Sequence, residues 1–177
     1  RLDKDTSGLI VAAKNDLAHR GLAKQFAEHS LDRAYRAVVW GVPAPREGTL
    51  VGNIGRNPRN RKKMAVLPAG GKRAATHYRV LRAVGTYAAL VECRLATGRT
   101  HQIRVHLAAA GHPIVGDPVY GGGDARRLKR ADDAFRAAIA ALGRQALHAV
   151  RLGFEHPRTG ERLGFESPLP PEIAALL

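Results

Sequence analysis

The sequence predicts an α+β fold with a mainly antiparallel sheet and flanking helices. Candidate strands outnumber candidate helices and mostly follow one another directly, which is the element order of an α+β domain. Three segments instead repeat their apolar residues at helical spacing. The 177 residues suffice for one well-packed domain but are few for two. No internal repeat or linker is visible, so we expect a single domain over residues 1–177.

The N-terminal part of the chain predicts a strand, a helix and a second strand. The apolar run GLIVAA, residues 8–13, predicts a buried strand. Asn15 is a candidate N-cap for the helix that follows, in which Leu22 and Phe26 are four residues apart. The segment DRAYRAVVWG then alternates as a strand does, with Tyr35 near its start.

The remaining segments predict further strands around a central helix. ATHYRVLRAV and YAALVECRL are typical of two successive strands joined by a turn at Gly85. In THQIRVHL, Thr100 is a candidate cap, Ile103 and Leu107 share one helix face, and Gly111 marks the end. GGGDARRLKRADD has the composition of a flexible insertion. AFRAAIAALG predicts a short helix, and LHAVRLGFEHP with ERLGFESP predicts a closing strand pair.

The charge balance indicates a polyanionic partner. The chain has 29 Lys and Arg residues against 15 Asp and Glu residues, a formal net charge of +14. Such a surplus attracts nucleic acid first and an anionic membrane surface second. No apolar run approaches the roughly 18 residues of a spanning helix, and the chain does not start with the pattern of a secretory leader. We therefore expect a cytoplasmic protein without a membrane partner.

Cysteine and histidine usage argues against disulfides and metals. A lone Cys93 excludes an internal disulfide framework and fits a reducing compartment. The eight histidines are scattered, and no Cys/His cluster has ligand spacing. We expect no bound metal.

The opening stretch RLDKDTSG presents two carboxylates, Asp3 and Asp5. Paired carboxylates suggest the acid and base of a glycoside hydrolase, but Asp5 precedes Thr-Ser-Gly, where an acidic side chain favours a turn. Asp3 is either a solvated acid or a reactive carboxylate presented on that turn. A reactive group two residues from a free terminus would be poorly held. If Asp3 is functional, we expect residues before Arg1 in the natural protein.

Two cationic segments have both a functional and an ordinary explanation. In THQIRVHL, His101 and Arg104 are neighbours on one helix face, which is either solvated surface or a source of a counter-ion for an aspartate. The segment GRNPRNRKK, residues 55–63, has turn residues and no acid, so it is a loop or hairpin tip that either contacts phosphates or is simply solvated. Its five cations are Arg56, Arg59, Arg61, Lys62 and Lys63.

Three long blocks resemble, in order, the signatures of the RluA-type pseudouridine synthases. RLDKDTSGLIVAAK resembles the motif His-Arg-Leu-Asp, two variable residues, Thr-Ser/Thr-Gly, here without its leading histidine. RAYRAVVWG resembles the block with the active-site tyrosine, and ATGRTHQIRVHLAAAGHPIVGDPVYGG resembles the second signature. MAVLPAGGKRAATHYRVL and RQALHAVRL are closer still to the RluD branch, which acts on 23S ribosomal RNA. The resemblance runs from Arg1 to about Pro168.

The resemblance implies the pseudouridine synthase catalytic fold, with flanking helices and loops around a central cleft. It implies that Asp3 is the nucleophile, that Tyr35 is the active-site tyrosine and that Arg104 ion-pairs with Asp3. It leaves the atom that Asp3 attacks open between C6 of the base and C1′ of the ribose. Three further positions are implied to line the cleft and contact RNA: Arg1, Arg99 and His101.

The implied activity is an isomerisation, an intramolecular transfer in which the C1′–N1 bond of a flipped-out uridine breaks and the base reattaches through C5. Nothing is oxidised or added, so no cofactor is expected. The first choice of substrate is 23S ribosomal RNA. The alternatives are a tRNA-acting enzyme of the same family and a non-catalytic RNA-binding or ribosome-assembly factor. We expect a monomer, and an S4 RNA-binding domain upstream stays an open possibility.

Overall fold

The computed structural model describes residues 1–122 and 124–177, and within these residues one mixed sheet organises the fold. Its strands are β1 (Ser7–Gly8), β2 (Asp32–Trp40), β3 (Glu47–Arg56), β4 (Met64–Leu67), β5 (Lys72–Val84), β6 (Ala88–Leu95), β7 (Leu147–Glu155) and β8 (Arg162–Glu166). The helices are α1 (Asp16–Glu28), α2 (Gln102–Ala109), α3 (Asp124–Leu128), α4 (Asp133–Leu142) and α5 (Pro171–Ala174).

The sheet is antiparallel except at its N-terminal strand. The strand order is β1-β7-β2-β6-β5-β3-β4, and β8 also pairs with β7. Only β1 against β7 is parallel among the described strand pairs, and β2 lies between β7 and β6 near the middle. The predicted α+β fold with a mainly antiparallel sheet is confirmed.

The main core lies where the central strands meet α2, α4 and α5. Trp40 on β2 is fully buried and meets Phe135 of α4 edge to face, with ring centroids 5.8 Å apart. Leu107 of α2 and Ile173 of α5 are buried in the same cluster. Helix α2 is thereby fixed against the sheet, so the polar side chains along it have defined positions.

The predicted helix α1 is confirmed, but the strand predicted before it is wrong. Asn15 caps α1 as expected, because its Oδ1 accepts a hydrogen bond from Ala18 N at 2.9 Å. In the predicted strand 8–13, pairing stops at Gly8, whose φ of +108° turns the backbone where it passes close to β7. Beyond this point Leu9 N still donates to Ala149 O at 3.0 Å, and Leu9 and Val11 pack on the apolar cluster below α1. The rest of the run is not buried, since Ile10 is 64% exposed.

Helix α2 exists as predicted, but its start differs from the prediction, and its cationic residues follow the counter-ion alternative. His101, not Thr100, occupies the N-cap, with a left-handed φ of +56° and no side-chain cap. Arg104 and His106 are buried, so the helix does not present a solvated cationic face. Gly111, with a φ of +84°, follows the end of the helix as predicted.

The C-terminal elements follow the prediction closely. Helix α4 is capped by Asp132, whose Oδ1 accepts a hydrogen bond from Phe135 N at 2.8 Å, and β7 and β8 form the predicted antiparallel pair. The glycine-rich stretch predicted to be a flexible insertion contains α3, and part of it, residue 123, lies outside the described residues. Among the helices described, none has the length and apolar character that crossing a membrane would require.

Candidate active site

Asp3 lies on a tight turn that leads into β1. The turn is closed by a hydrogen bond from Thr6 N to the carbonyl oxygen of Asp3 at 3.1 Å. Asp5 is exposed within the turn and has a φ of +66°, the left-handed conformation that Asp and Asn tolerate better than most residues. The turn role predicted for Asp5 therefore agrees with its backbone, whereas Asp3 is free to face the protein.

Two buried side chains from the segment RQALHAVRL hold this turn. Gln145 donates from Nε2 to the carbonyl oxygen of Lys4 at 2.6 Å and to Thr6 Oγ1 at 3.2 Å. His148 Nδ1 lies 2.8 Å from Ser7 Oγ. Gln145 and His148 are both buried, so their hydrogen bonds hold the turn that carries Asp3 against the protein interior.

Arg104 connects Asp3 to a second, fully buried carboxylate. Arg104 Nη1 lies 3.6 Å from Asp3 Oδ2, which is the ion pair that the family resemblance implies. The stronger partner is Asp117, because Arg104 donates from Nε to Asp117 Oδ2 at 2.7 Å and from Nη2 to Asp117 Oδ1 at 2.9 Å. This two-pronged pair fixes the plane of the guanidinium and leaves Nη1 to face Asp3.

Asp117 is adapted to remain charged despite its burial. Burial alone raises the pKa of the Asp117 carboxyl, but the hydrogen bonds from Arg104 and from the backbone N–H groups of Tyr120 and Val119 outweigh it and lower the pKa. A carboxylate held in this way is a permanent counter-ion. Asp117 thus fixes the orientation of Arg104 through contacts within the chain itself.

Tyr120 and His101 pack beneath the same guanidinium. Arg104 Cζ lies 5.0 Å from the centroid of the Tyr120 ring, and Tyr120 OH lies 2.8 Å from His101 Nδ1. Burial lowers the pKa of His101, opposed in part by the Asp3 carboxylate. His101 is half-buried against Tyr120 and is not among the described residues that line the cleft, so its contacts are those of a support for Arg104.

A cleft of about 190 Å³ opens beside the Asp3 carboxylate. Its polar walls include Tyr35 and three arginines, and Asp3 is the sole acidic side chain among the described lining residues. The arginines are Arg1, Arg33 and Arg99, and the apolar walls include Leu2, Phe26, Leu95, Ile103 and Leu147. The described residues contain no group of three or more His, Cys, Asp or Glu side chains that could hold a metal ion. The cleft thus combines three cationic side chains with an apolar wall.

Tyr35 is a neutral phenol on the cleft wall. Burial raises its pKa, the nearby Arg33 lowers it by less, and the Asp3 carboxylate raises it further. The net shift is upward from an ordinary value of about 10. At neutral pH Tyr35 is therefore suited to packing against a base or donating a hydrogen bond, and poorly suited to taking up a proton.

A buried amide positions the rim of the cleft. Gln102 accepts at Oε1 from Thr97 Oγ1 at 2.7 Å and from Arg99 N at 2.9 Å, and it donates from Nε2 to Ala75 O and Thr76 Oγ1, each at 2.9 Å. These bonds tie the turn before α2 to β5. Arg99 is thereby held at the cleft, as the resemblance implies.

The basic segment 55–63 is the tip of the β3–β4 hairpin, as predicted. Two of its five cations are tied to the protein, because Lys63 Nζ donates to Val119 O at 2.8 Å and Arg56 Nη1 donates to Arg61 O at 3.2 Å. The Lys63 contact joins the hairpin to the turn that follows Asp117. The side chains of Arg59 and Lys62 are exposed, as is that of Arg61.

The sequence motifs contained residues of this site whose roles they did not indicate. Asp117 and Tyr120 stand in GDPVYGG, inside the second signature, and Arg33 stands two residues before Tyr35. The only sequence signal for Asp117 and Arg33 was that each is a charged residue next to an apolar segment. Neither spacing nor composition showed that Asp117 would meet Arg104, because that contact is made by a loop returning to the helix.

Comparison with known proteins gives consistent matches. The model of a family described as RNA pseudouridylate synthase matches residues 1–109. The ribosomal large subunit pseudouridine synthase D of Zymomonas mobilis is 50% identical to this chain, and the match covers 99% of this chain and 53% of the relative. The enzyme of the same name from Neisseria meningitidis is 49% identical, and the match covers 100% of this chain and 46% of the relative. The solved structure of human RNA pseudouridylate synthase domain containing 1 superimposes with a TM-score of 0.75 and 31% identity, covering 95% of this chain and 66% of that chain. The chain spans about half the length of these two curated relatives.

Proposed function

Because the chain belongs to the RNA pseudouridylate synthase family, we propose that it isomerises uridine to pseudouridine in RNA. The family membership that the three motifs predicted is confirmed, and so is the pseudouridine synthase fold. The observation that carries the proposed activity is the Asp3–Arg104 ion pair at 3.6 Å beside a cleft that also contains Tyr35. In this proposal residues 1–177 act as one catalytic domain and a monomer.

The proposed substrate is large-subunit ribosomal RNA. The two relatives named above carry that substrate in their names, and each matches nearly the whole chain at about half identity. The net charge of +14 supports a polyanionic substrate of any sequence. Ribosomal RNA of this kind is made and modified in the bacterial cytoplasm, so we place the protein there.

The proposed chemistry needs only groups that the chain supplies. The C1′–N1 bond breaks, the base rotates, C5 bonds to C1′, and the proton lost from C5 is balanced by one gained at N1. Asp3 supplies the carboxylate that attacks covalently, at C6 of the base or C1′ of the ribose. Arg104 faces that carboxylate with Nη1 at 3.6 Å, and Asp117 holds Arg104 in place. The apolar walls keep the separated base inside the cleft and exclude water.

The target uridine must leave its stack to reach Asp3. Flipping costs a few kcal/mol, which phosphate contacts and packing inside the cleft offset. Neutral Tyr35 and the apolar wall residue Leu2 offer surfaces to the flipped base. We propose that Arg1, which is exposed and lines the cleft, occupies the space that the uridine leaves, as the family resemblance implies.

The activity is tested by mapping pseudouridine after incubating the chain with separate transcripts of 23S ribosomal RNA and transfer RNA. We expect conversion of one or a few uridines in the ribosomal transcript. Conversion only in transfer RNA would replace the proposed substrate with the other class. Binding without conversion in either transcript would indicate a non-catalytic RNA-binding protein and contradict the proposed activity.

The tip of the β3–β4 hairpin is proposed as a clamp on the RNA backbone. Replacing Arg59, Arg61 and Lys62 together by Ala should weaken RNA binding and flatten its salt dependence, because these exposed cations bind phosphates without reading sequence. Removing the interaction with one phosphate should lower the log–log salt slope by about 0.7 to 0.9. Turnover at saturating RNA should change little, because the cleft beside Asp3 is untouched.

A second triple variant that removes three positive charges elsewhere distinguishes phosphate contacts at the hairpin tip from general attraction of RNA by the net charge. Lys24, Arg158 and Arg162 are also exposed cations, and they belong to the opposite edge of the sheet, near β7 and β8. Their replacement by Ala should leave the salt slope nearly unchanged. If both triple variants bind RNA equally from low to physiological salt, the hairpin tip is only a solvated turn.

A further inference from the structure

Arg33 is a cation of the cleft to which neither the motifs nor the family match assign a role. It lies on β2, two residues before Tyr35, and both side chains line the cleft beside Asp3. Its guanidinium stacks on Phe26, with Cζ 5.4 Å from the ring centroid. On its other side, an added Cβ on Gly98 would lie 3.5 Å from Arg33 Nη1, so the guanidinium fills the space between α1 and the turn before α2.

Arg33 lacks a counter-ion within the part of the chain that the structure describes. None of the described carboxylates lies within ion-pair distance of it, and its Nε is buried without a hydrogen-bond partner. A partly buried cation that is left unpaired is costly unless a ligand supplies the missing negative charge. The other two arginines of the cleft, Arg1 and Arg99, each have at least one hydrogen-bond partner in the protein.

The position of Arg33 between two adjoining spaces indicates which part of the RNA it meets. It lines the cleft of about 190 Å³ that holds Asp3, and also a smaller space of about 30 Å³ bounded by apolar side chains and Arg151. Arg1 lines both spaces as well, but it is exposed and hydrogen-bonded to Thr100. The smaller space has room for about one or two water molecules, so a phosphate oxygen can reach into it but a base or a ribose cannot. The junction of the two spaces is where the phosphodiester of a flipped nucleotide would cross.

From this geometry we propose that Arg33 binds the phosphodiester that links the flipped uridine to its neighbour, and so positions the nucleotide over Asp3. The inference rests on the proposed function, which supplies the RNA substrate. Arg33 acts through the phosphate and leaves the reacting carbon atoms untouched. A guanidinium suits this contact because it offers several donors in a plane.

The test compares two arginines of one strand. Arg36 also has a buried Nε without a partner in the described residues, but it lines a separate pocket with Glu92 and Glu166. With a 23S ribosomal RNA transcript as the probe, Arg33→Gln should lower the log–log salt slope of binding by about 0.7 to 0.9, and Arg36→Gln should leave it unchanged. For conversion of the mapped uridine, Arg33→Gln should raise KM about tenfold or more and change kcat less.

A conservative variant separates a phosphate contact from a structural role. Arg33→Lys keeps the charge, so its salt slope should equal that of the parent. Its KM should lie between those of the parent and Arg33→Gln, because an ammonium group cannot reproduce the planar contact. Equal slopes for Arg33→Gln and Arg36→Gln would overturn the inference even if the parent chain converts uridine. If the parent binds the transcript but converts nothing, the proposed function fails, and the slope comparison still decides whether Arg33 contacts phosphate.

Discussion

Asp3→Asn should reduce pseudouridine formation by about a thousandfold or more, the scale on which removal of a covalent nucleophile acts. The amide has almost the same shape as the carboxylate but cannot attack covalently. RNA binding should stay within a few-fold of the parent, because the cationic side chains that we propose to contact phosphate are unchanged. Stability should change by at most about 1 kcal/mol, since the Asp3 side chain is 22% exposed and Arg104 keeps Asp117 as its partner. Single-turnover conversion and equilibrium RNA binding measure the two effects separately.

Asp5→Asn is the matched control for this experiment. Asp5 is exposed on the same turn, and its φ of +66° is a conformation that Asn also adopts readily. Its side chain does not line the cleft in the described structure, so conversion should stay close to that of the parent. Turnover near the parent level in Asp3→Asn would contradict the nucleophile assignment. A comparable decrease in both variants would show that the turn as a whole, and not one carboxylate, is required.

The sequence predicted the central elements because their patterns are local. Alternation in β2 and the spacing of Ile103 and Leu107 in α2 depend on nearby residues alone, and both elements form as predicted. The motif resemblance then placed Asp3, Tyr35 and Arg104 together, and the structure has Asp3 and Tyr35 on one cleft with Arg104 paired to Asp3.

The sequence could not decide outcomes that depended on distant parts of the chain. It left the cationic residues of α2 open between solvated surface and a counter-ion for an aspartate, and Arg104 and His106 are buried because Asp117 and Thr76 come from other segments to satisfy them. The same limitation explains why the apolar run at 8–13 looked like a strand. An apolar run alone shows neither whether a neighbouring strand will pair with its backbone nor how far it will be buried, and here Ile10 is 64% exposed.

Asp117→Ala should destabilise the protein by about 3–5 kcal/mol, the largest stability effect that we expect from a single substitution. The Asp117 side chain is fully buried, and its removal leaves the Arg104 guanidinium with only the Asp3 carboxylate at 3.6 Å. The backbone N–H groups of Val119 and Tyr120 would also lose their acceptor. Asp32→Ala is the control, because its pairs with Arg94 and Arg151 are surface pairs that contribute at most about 1 kcal/mol. Urea unfolding of both variants and the parent gives the comparison.

The pH dependence of the stability difference between the parent and Asp117→Ala tests whether that difference is electrostatic. The pKa of Asp117 is lower in the folded protein than in the unfolded chain, so its stabilising contribution is complete above the unfolded value of about 4 and is lost as the pH falls through the folded value. The stability gap between the parent and Asp117→Ala should therefore be widest near neutral pH and narrow in acid. A gap that is small at neutral pH, or that stays constant into strong acid, would mean that Arg104 is held by packing and not by the Asp117 charge.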